Sequence, residues 1–144
     1  MTENDQITDS PTGWVAKHVR SYLDTDGRVG HNYHGSPTLL LTTRGRRTGA
    51  LRRTALIYGR DGENYLLVAS NGGADRHPAW YLNLTADPAV TVQVGSEVFA
   101  ATARTADAAE KAALWERMTE VFPRYDLYRT KTERDLPLVI LARV

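Results

Sequence analysis

The stretch Thr54-Ala-Leu-Ile-Tyr58-Gly-Arg-Asp61-Gly62-Glu-Asn-Tyr65-Leu-Leu-Val-Ala-Ser70 decides how the chain must fold. Two runs rich in Leu, Ile, Val and Tyr flank an Asp61-Gly62 pair, which favours a tight hairpin. Strands joined by so short a turn run antiparallel. Upstream, Thr38 to Thr43 is a third run of the same composition, closed by an arginine-rich turn. Downstream, Val90 to Val94 and Val98 to Arg104 form a second hairpin around Gly95-Ser96, and Leu136 to Ala142 is a last strand.

Helical patterns are fewer. In residues 13–24, Trp14, Val15, His18, Val19, Tyr22 and Leu23 share one face, with Lys17, Arg20, Ser21 and Asp24 opposite. Such a helix could pack on its own domain, lid a pocket, or rest on a membrane surface. His77 to Leu84 reads as a short helix stopped by Asp87-Pro88. Asp107 and Glu110 give a capping-box start to another, with Leu114, Trp115, Met118, Val121 and Phe122 as its apolar face. Pro123 to Tyr128 reads as a connection to the final strand. Six strands with three helices do not alternate as parallel units would. The expected fold is α+β, a small antiparallel barrel with flanking helices.

The size, 144 residues, suits one domain, expected over residues 13–144, with residues 1–12 as a flexible tail. Met1 to Pro11 is polar and acidic, without the basic and apolar regions of a signal peptide. The longest apolar run, Leu136 to Ala142, has seven residues, against about 20 for a membrane span. Eighteen basic and 17 acidic residues leave a net charge of +1, so any anion site must be a local cluster. There are no cysteines, which excludes disulfides, thiolate metal sites and a cysteine nucleophile, and fits a reducing compartment. His18, His31, His34 and His77 form no i, i+4 pair, so no metal site is expected.

Two stretches could carry chemistry. Arg44-Gly-Arg46-Arg47-Thr48-Gly49-Ala-Leu-Arg52-Arg53 places five arginines within ten residues, between two strands. Arginine forks match phosphate and carboxylate, and glycines let backbone approach a ligand. The same residues would also suit a solvated hairpin or a nucleic-acid patch, although no aromatics are interleaved for base stacking. The second stretch, Ala69-Ser70-Asn71-Gly-Gly-Ala-Asp-Arg-His77-Pro78-Ala79-Trp80-Tyr81-Leu82-Asn83-Leu84, leaves a strand through a glycine pair and enters a helix. Helix N-termini favour negative groups, and Trp80 and Tyr81 offer flat surfaces to a ring. Plainer readings make Trp80 core filler, Asn83 a helix C-cap and His77 a surface residue.

Thr42 through Gly49 with Arg52, and Ala69 through Leu84, resemble the signature stretches of the deazaflavin-dependent nitroreductases. That family is similar in fold to the FMN-binding split barrels, and the likeness covers roughly three-quarters of the chain, from Pro37 onward. It implies an oxidoreductase passing hydride from reduced coenzyme F420 to a quinone-like or nitroaromatic acceptor, without nucleic acid as partner. It further implies that Arg46, Arg47, Thr48 and Arg52 hold the phosphate and glutamate tail. Val68, Ala69, Ser70 and Asn71 would line the ring system, largely through backbone groups, completed by Ala79, Trp80, Tyr81, Leu82 and Asn83. Phe122, Tyr125 and Tyr128 match three aromatics that border the acceptor pocket. Tyr125, Tyr128 and Ser70 become candidates for acceptor hydrogen bonding and proton supply, Tyr125 lying near both ligands.

The chain departs from its relatives at three positions. Leu51 stands where many have proline, Asn71 where some have lysine, and Ile57 where some have tyrosine. FMN is the alternative cofactor, since residue physics does not separate the two flavins, and binding without turnover is the alternative role. The expected location is cytoplasmic, with the helix at 13–24 compatible with peripheral contact at the inner face of the plasma membrane. No feature specifies an oligomeric state.

Overall fold

The computed structural model describes residues 7–9, 13–33 and 35–144; the remainder of the N-terminal tail and His34 lie outside the described residues, as do the side chains of Trp14, Asn32 and Tyr33. Strands β1 (Ile7–Asp9), β2 (Asn32–Tyr33), β3 (Ser36–Arg44), β4 (Leu51–Ile57), β5 (Gly59–Asp61), β6 (Asn64–Val68), β7 (Ala89–Val94), β8 (Glu97–Thr105) and β9 (Leu138–Arg143) form one sheet. Helices α1 (Gly13–Asp24), α2 (Ala79–Ala86), α3 (Ala108–Val121) and α4 (Arg124–Thr130) pack around it.

The sheet runs β1-β4-β3-β7-β8-β9-β6-β5, with β2 paired to β3. Only Tyr58 separates β4 from β5, so one bent strand pairs with β3 at its start and with β6 at its end. That bend closes the antiparallel barrel expected from the hairpins. A Cβ at Gly59 would stand 2.5 Å from the Met118 sulfur, so glycine at the bend makes room for α3. The expected strands fall within or across β3, β4, β6, β7, β8 and β9; the Gly95-Ser96 turn is in place, and the first turn lies one residue later than expected, at Gly62-Glu63, with Asp61 ending β5.

Alternation along the strands assigns the core. Leu39, Leu41, Leu67, Val139 and Leu141 point into the barrel with Tyr65, Val92 and Phe99. Leu66, Leu138 and Ile140 point outward, against Leu114, Trp115, Met118 and Phe122. Covering on both faces explains why β3, β6 and β9 read as continuous apolar runs. The helix α1 sets Val15, Val19 and Tyr22 on Leu40, with Leu23 and Ala55 beside them. These apolar side chains of α1 are therefore spent on its own sheet. The capping box on α3 is present, with Asp107 accepting from the Glu110 N–H at 2.8 Å and Glu110 accepting in return at 3.1 Å. Two further bonds from Arg104 hold the Glu110 carboxyl down to about 2.

Besides the short strands β2 and β5, which the sequence reading did not give, three features differ from expectation. Ile7–Asp9, expected within a loose tail, pairs parallel with β4 and sets Asp9 opposite Arg53. Residues 124–130 form a helix where a plain connection was read; the Trp115 indole N–H donates to Asp126 at 2.8 Å and pins it to α3. The helix α2 begins two residues later than expected, with Pro78 at its N-cap position, and Asp87, not Asn83, is its C-cap.

Candidate functional site

A cavity of about 1320 Å³ opens between the β3–β4 loop, the segment from Val68 to Asn83, and the aromatic residues Phe122, Tyr125 and Tyr128 at the end of α3 and in α4. Thr54, Ala55, Leu56 and Ile57 of β4 form another side, with Val15 and His18 of α1.

The loop wall is built by its own backbone. The Gly45 N–H donates to Ala50 at 2.7 Å, and the Gly49 N–H donates to Gly45 at 2.8 Å. The Arg44 guanidinium donates to the Gly49 carbonyl at 2.6 Å. The five arginines then divide. Arg53 pairs with Asp9 at 2.6 Å. Arg46 donates to the Asn83 amide oxygen through its backbone N–H at 3.2 Å and through Nη1 at 3.0 Å. Arg47 and Arg52 are exposed cavity residues with no hydrogen bond or ion pair among the described residues. Two cations thus stand ready for an anion, and a third is aimed by α2. Asn83 is buried, and its amide also donates to Thr43 Oγ1 at 3.2 Å. It ties helix to loop, which is a positioning task.

The second wall hangs on one residue. Arg134 donates from Nε to the Ala74 carbonyl at 2.7 Å, from Nη2 to Ser70 at 2.7 Å, and from Nη1 to Ala69 at 3.2 Å. Ala69 also spends its N–H on Pro137, at 2.9 Å. Asn71 sits at φ 48°, a left-handed position that asparagine tolerates, with its amide on the Arg76 carbonyl at 3.1 Å. Trp80 is half-buried and lines the cavity, so it is more than core filler.

The third wall is aromatic. Phe122 and Tyr125 meet at 5.0 Å between ring centroids, and Tyr125 and Tyr128 at 6.4 Å. Tyr125 is only 4% exposed. Burial first, and the neighbouring Tyr128 second, push its hydroxyl well above the ordinary tyrosine range. Neither its hydroxyl nor that of Ser70 makes a hydrogen bond among the described residues, and both residues line the cavity. A Cβ on Gly73 would lie 3.1 Å from the Tyr128 carbonyl and 3.0 Å from Lys131 Cβ. Glycine there lets α4 close against the second wall.

Of the residues singled out from sequence, Arg46, Arg47, Thr48, Arg52, Val68, Ser70, Asn71, Ala79, Trp80, Leu82, Asn83, Tyr125 and Tyr128 line this one cavity. Ala69 and Tyr81 do not. Ala69 is buried with both backbone groups engaged. Tyr81 turns its hydroxyl to Thr105 at 2.9 Å. Sequence reasoning missed Arg134, which sits in a polar stretch with no motif around it.

The donor set suits a flat ring ligand with an anionic tail: free cations at one end, aromatic rings and unengaged hydroxyls at the other. The sequence profile of the F420H(2)-dependent quinone reductases matches residues 14–143. The chain belongs to this family. A curated F420H(2)-dependent quinone reductase of Mycobacterium tuberculosis is 41% identical over 143 residues, covering 90% of this chain and 96% of the relative. A solved structure of an F420-H2 dependent reductase, FDR-A, is 39% identical with a TM-score of 0.68, covering 73% of this chain and 93% of that one. Another, described as a domain-swapped dimer, is 36% identical with a TM-score of 0.70, covering 92% and 99%. As a family member the chain is an oxidoreductase on a split barrel, with coenzyme F420 as cofactor and quinone reduction as its reaction. Among the described residues no helix is long and apolar enough to cross a membrane.

Proposed function

We propose that residues 13–144 act as one domain in which the arginine loop captures the tail of F420 and the aromatic wall receives a quinone, or a nitroaromatic in its place. The carrying observation is the polarity of a single cavity, from unpartnered Arg47 and Arg52 to unbonded Tyr125 and Ser70 hydroxyls. Arg47 and Arg52, joined by Thr48 and by Arg46 as Asn83 aims it, bind phosphate and carboxylate by charge-assisted hydrogen bonds. Val68, Ser70, Asn71, Ala79, Trp80 and Leu82 frame the ring between the strap of Arg134 and α2. When bound, reduced F420 supplies two electrons and a proton as hydride from its C5.

The chain's own residues orient the acceptor beside that carbon and keep water away. Quinone reduction needs one more proton than the hydride carries. Tyr125, held in its neutral form by burial, donates a hydrogen bond to the acceptor oxygen. Half-buried Tyr128 stands between that oxygen and solvent, from which the balancing proton comes. The Ser70 hydroxyl is a second donor at the same end. Leu56 and Ile57 supply apolar surface to the cavity.

The test is titration of the purified protein with F420 and with FMN, followed by fluorescence, and then oxidation of reduced F420 with menadione. Binding of F420 in preference to FMN, and turnover that NADPH does not support, are the expected results. Equal turnover with NADPH, or none with any quinone or nitro compound, would sink the reading.

A further inference from the structure

His77 lies between the two stretches of the second wall, at the cavity, and does nothing in the mechanism above. Its Nδ1 stands 3.0 Å from Arg134 Nη1. A guanidinium has only N–H donors and does not lose its proton, so Nδ1 must accept. That places the ring proton on Nε2 and leaves no site for a second. The guanidinium cannot swing away to allow one, because the Ala69, Ser70 and Ala74 carbonyls hold it. The imidazole has a second contact. It packs on Tyr81 at 4.9 Å between centroids, and Tyr81 is itself anchored to Thr105. Among the described residues Nε2 has no partner, so its N–H is free for a ligand in the cavity.

We propose that His77 is a neutral N–H donor to a carbonyl oxygen of a bound ring, with Arg134 as the positioning residue that selects its tautomer. The chemistry follows from the charge state. A neutral imidazole polarises a carbonyl without adding a full charge to the site. The facing groups agree. Arg134, from the connection before β9, opposes protonation, and Tyr81 of α2 meets the imidazole through its ring. Asp75, two residues before His77 in the chain, accepts from Thr132 Oγ1 at 2.7 Å, and the neighbouring Arg76 is a like charge. Burial and the Arg134 charge, in that order, hold the His77 pKa below its ordinary value. Both deazaflavin and quinone present carbonyl oxygens, so the ligand half of the proposal rests on the function proposed above.

The tautomer is read on the protein without ligand, by ¹⁵N–¹H correlation of the imidazole from pH 5 to 8. The expected signature at pH 6.5 is a neutral ring protonated at Nε2. Arg134→Met should move the His77 titration upward, toward the ordinary value of about 6.5 but short of it, because burial remains. A wild-type ring that is cationic at pH 6.5, or protonated at Nδ1, would overturn the proposal whatever the variants do. His77→Phe keeps the packing on Tyr81 and removes the donor; His77→Gln restores an N–H. If Phe weakens F420 binding roughly five- to thirtyfold and Gln recovers most of it, the carbonyl is the cofactor's. If F420 affinity holds while kcat/KM for menadione falls by that factor, it is the acceptor's. Neither change, or Gln as poor as Phe, removes the donor role. A wild type that fails to bind F420 would overturn the functional reading and the ligand half with it, while the imidazole spectrum still decides the tautomer.

Discussion

The two ends of the cavity are built by opposite rules. At the loop end Arg47, Thr48 and Arg52 are exposed, held by short backbone bonds within their own hairpin. At the aromatic end Phe122 and Ser70 are each 8% exposed and Tyr125 4%, held by ring contacts and, at Ser70, by a bond from Arg134 far along the chain. An exposed cation needs no exact placement, because charge acts over several ångströms but is weakened by water and salt. A buried hydroxyl acts only at hydrogen-bond distance, but in a low-dielectric site each such bond is stronger. The open end is therefore suited to capture and the enclosed end to orientation.

The largest expected effect comes from breaking the enclosed end at its strap. Arg134→Met orphans the Ala69 and Ala74 carbonyls and leaves the Ser70 carbonyl with only the Gly73 N–H. Bonds to a charged group contribute about 1.5–3 kcal/mol each, and partial exposure here reduces the total, so the loss should be about 3 kcal/mol. Urea unfolding measures it, and menadione turnover should fall at least tenfold because the ring wall is no longer held. An unfolding midpoint equal to wild type would show that the wall stands without its strap.

At the open end the expected effect is confined to affinity. Arg47→Ala or Arg52→Ala should weaken F420 binding on the order of ten- to a hundredfold, from one lost charge-assisted bond. Turnover at saturating cofactor should change little, since the tail does not react. A deazaflavin lacking phosphate and glutamates sharpens the comparison. Arg52→Ala should leave its affinity unchanged, and equal weakening of both ligands would refute the assignment of the tail. Rising salt should weaken wild-type binding, less steeply in either variant.

The same contrast explains what could be read without coordinates. The strands that face packing on both sides are written as apolar runs, so β3, β6 and β9 are legible in Leu39–Leu41, Leu66–Val68 and Leu138–Leu141. The arginine loop is legible because its chemistry is local, five like charges beside two glycines. The three residues of β1 carry no such pattern; they are ordered by pairing with β4 and by the Asp9–Arg53 bridge. Helix α4 has seven residues, too few to declare itself, and owes its place to Trp115–Asp126 and the Phe122–Tyr125 contact. Barrel closure depends on the bend at Tyr58, a global property of strand pairing. Arg134 was invisible because its partners are backbone carbonyls more than fifty residues away, and carbonyls leave no mark on sequence.

The smallest effect should come from Tyr125→Phe, which removes a single atom at the enclosed end. F420 affinity should stay within a few-fold, and menadione turnover should fall roughly three- to tenfold, about the worth of one neutral hydrogen bond. The fall should be the same from pH 6 to 9, because burial holds the Tyr125 pKa above its ordinary value of 10.0 and the phenol stays protonated throughout. Stability gives a second reading of the same group. Its folded-state pKa exceeds the unfolded one, so the folded chain binds the proton more tightly. The contribution is intact below pH 10 and is lost as pH rises from there toward the folded value. Wild type should therefore lose stability above pH 10, and Tyr125→Phe should lose it less steeply in urea unfolding at successive pH values. The decline should not vanish, since burial also raises the pKa values of Tyr22 and Tyr58. A variant that declines as steeply as wild type would mean that Tyr125 is not shielded from water, and the orienting role of the enclosed end would lose its physical basis.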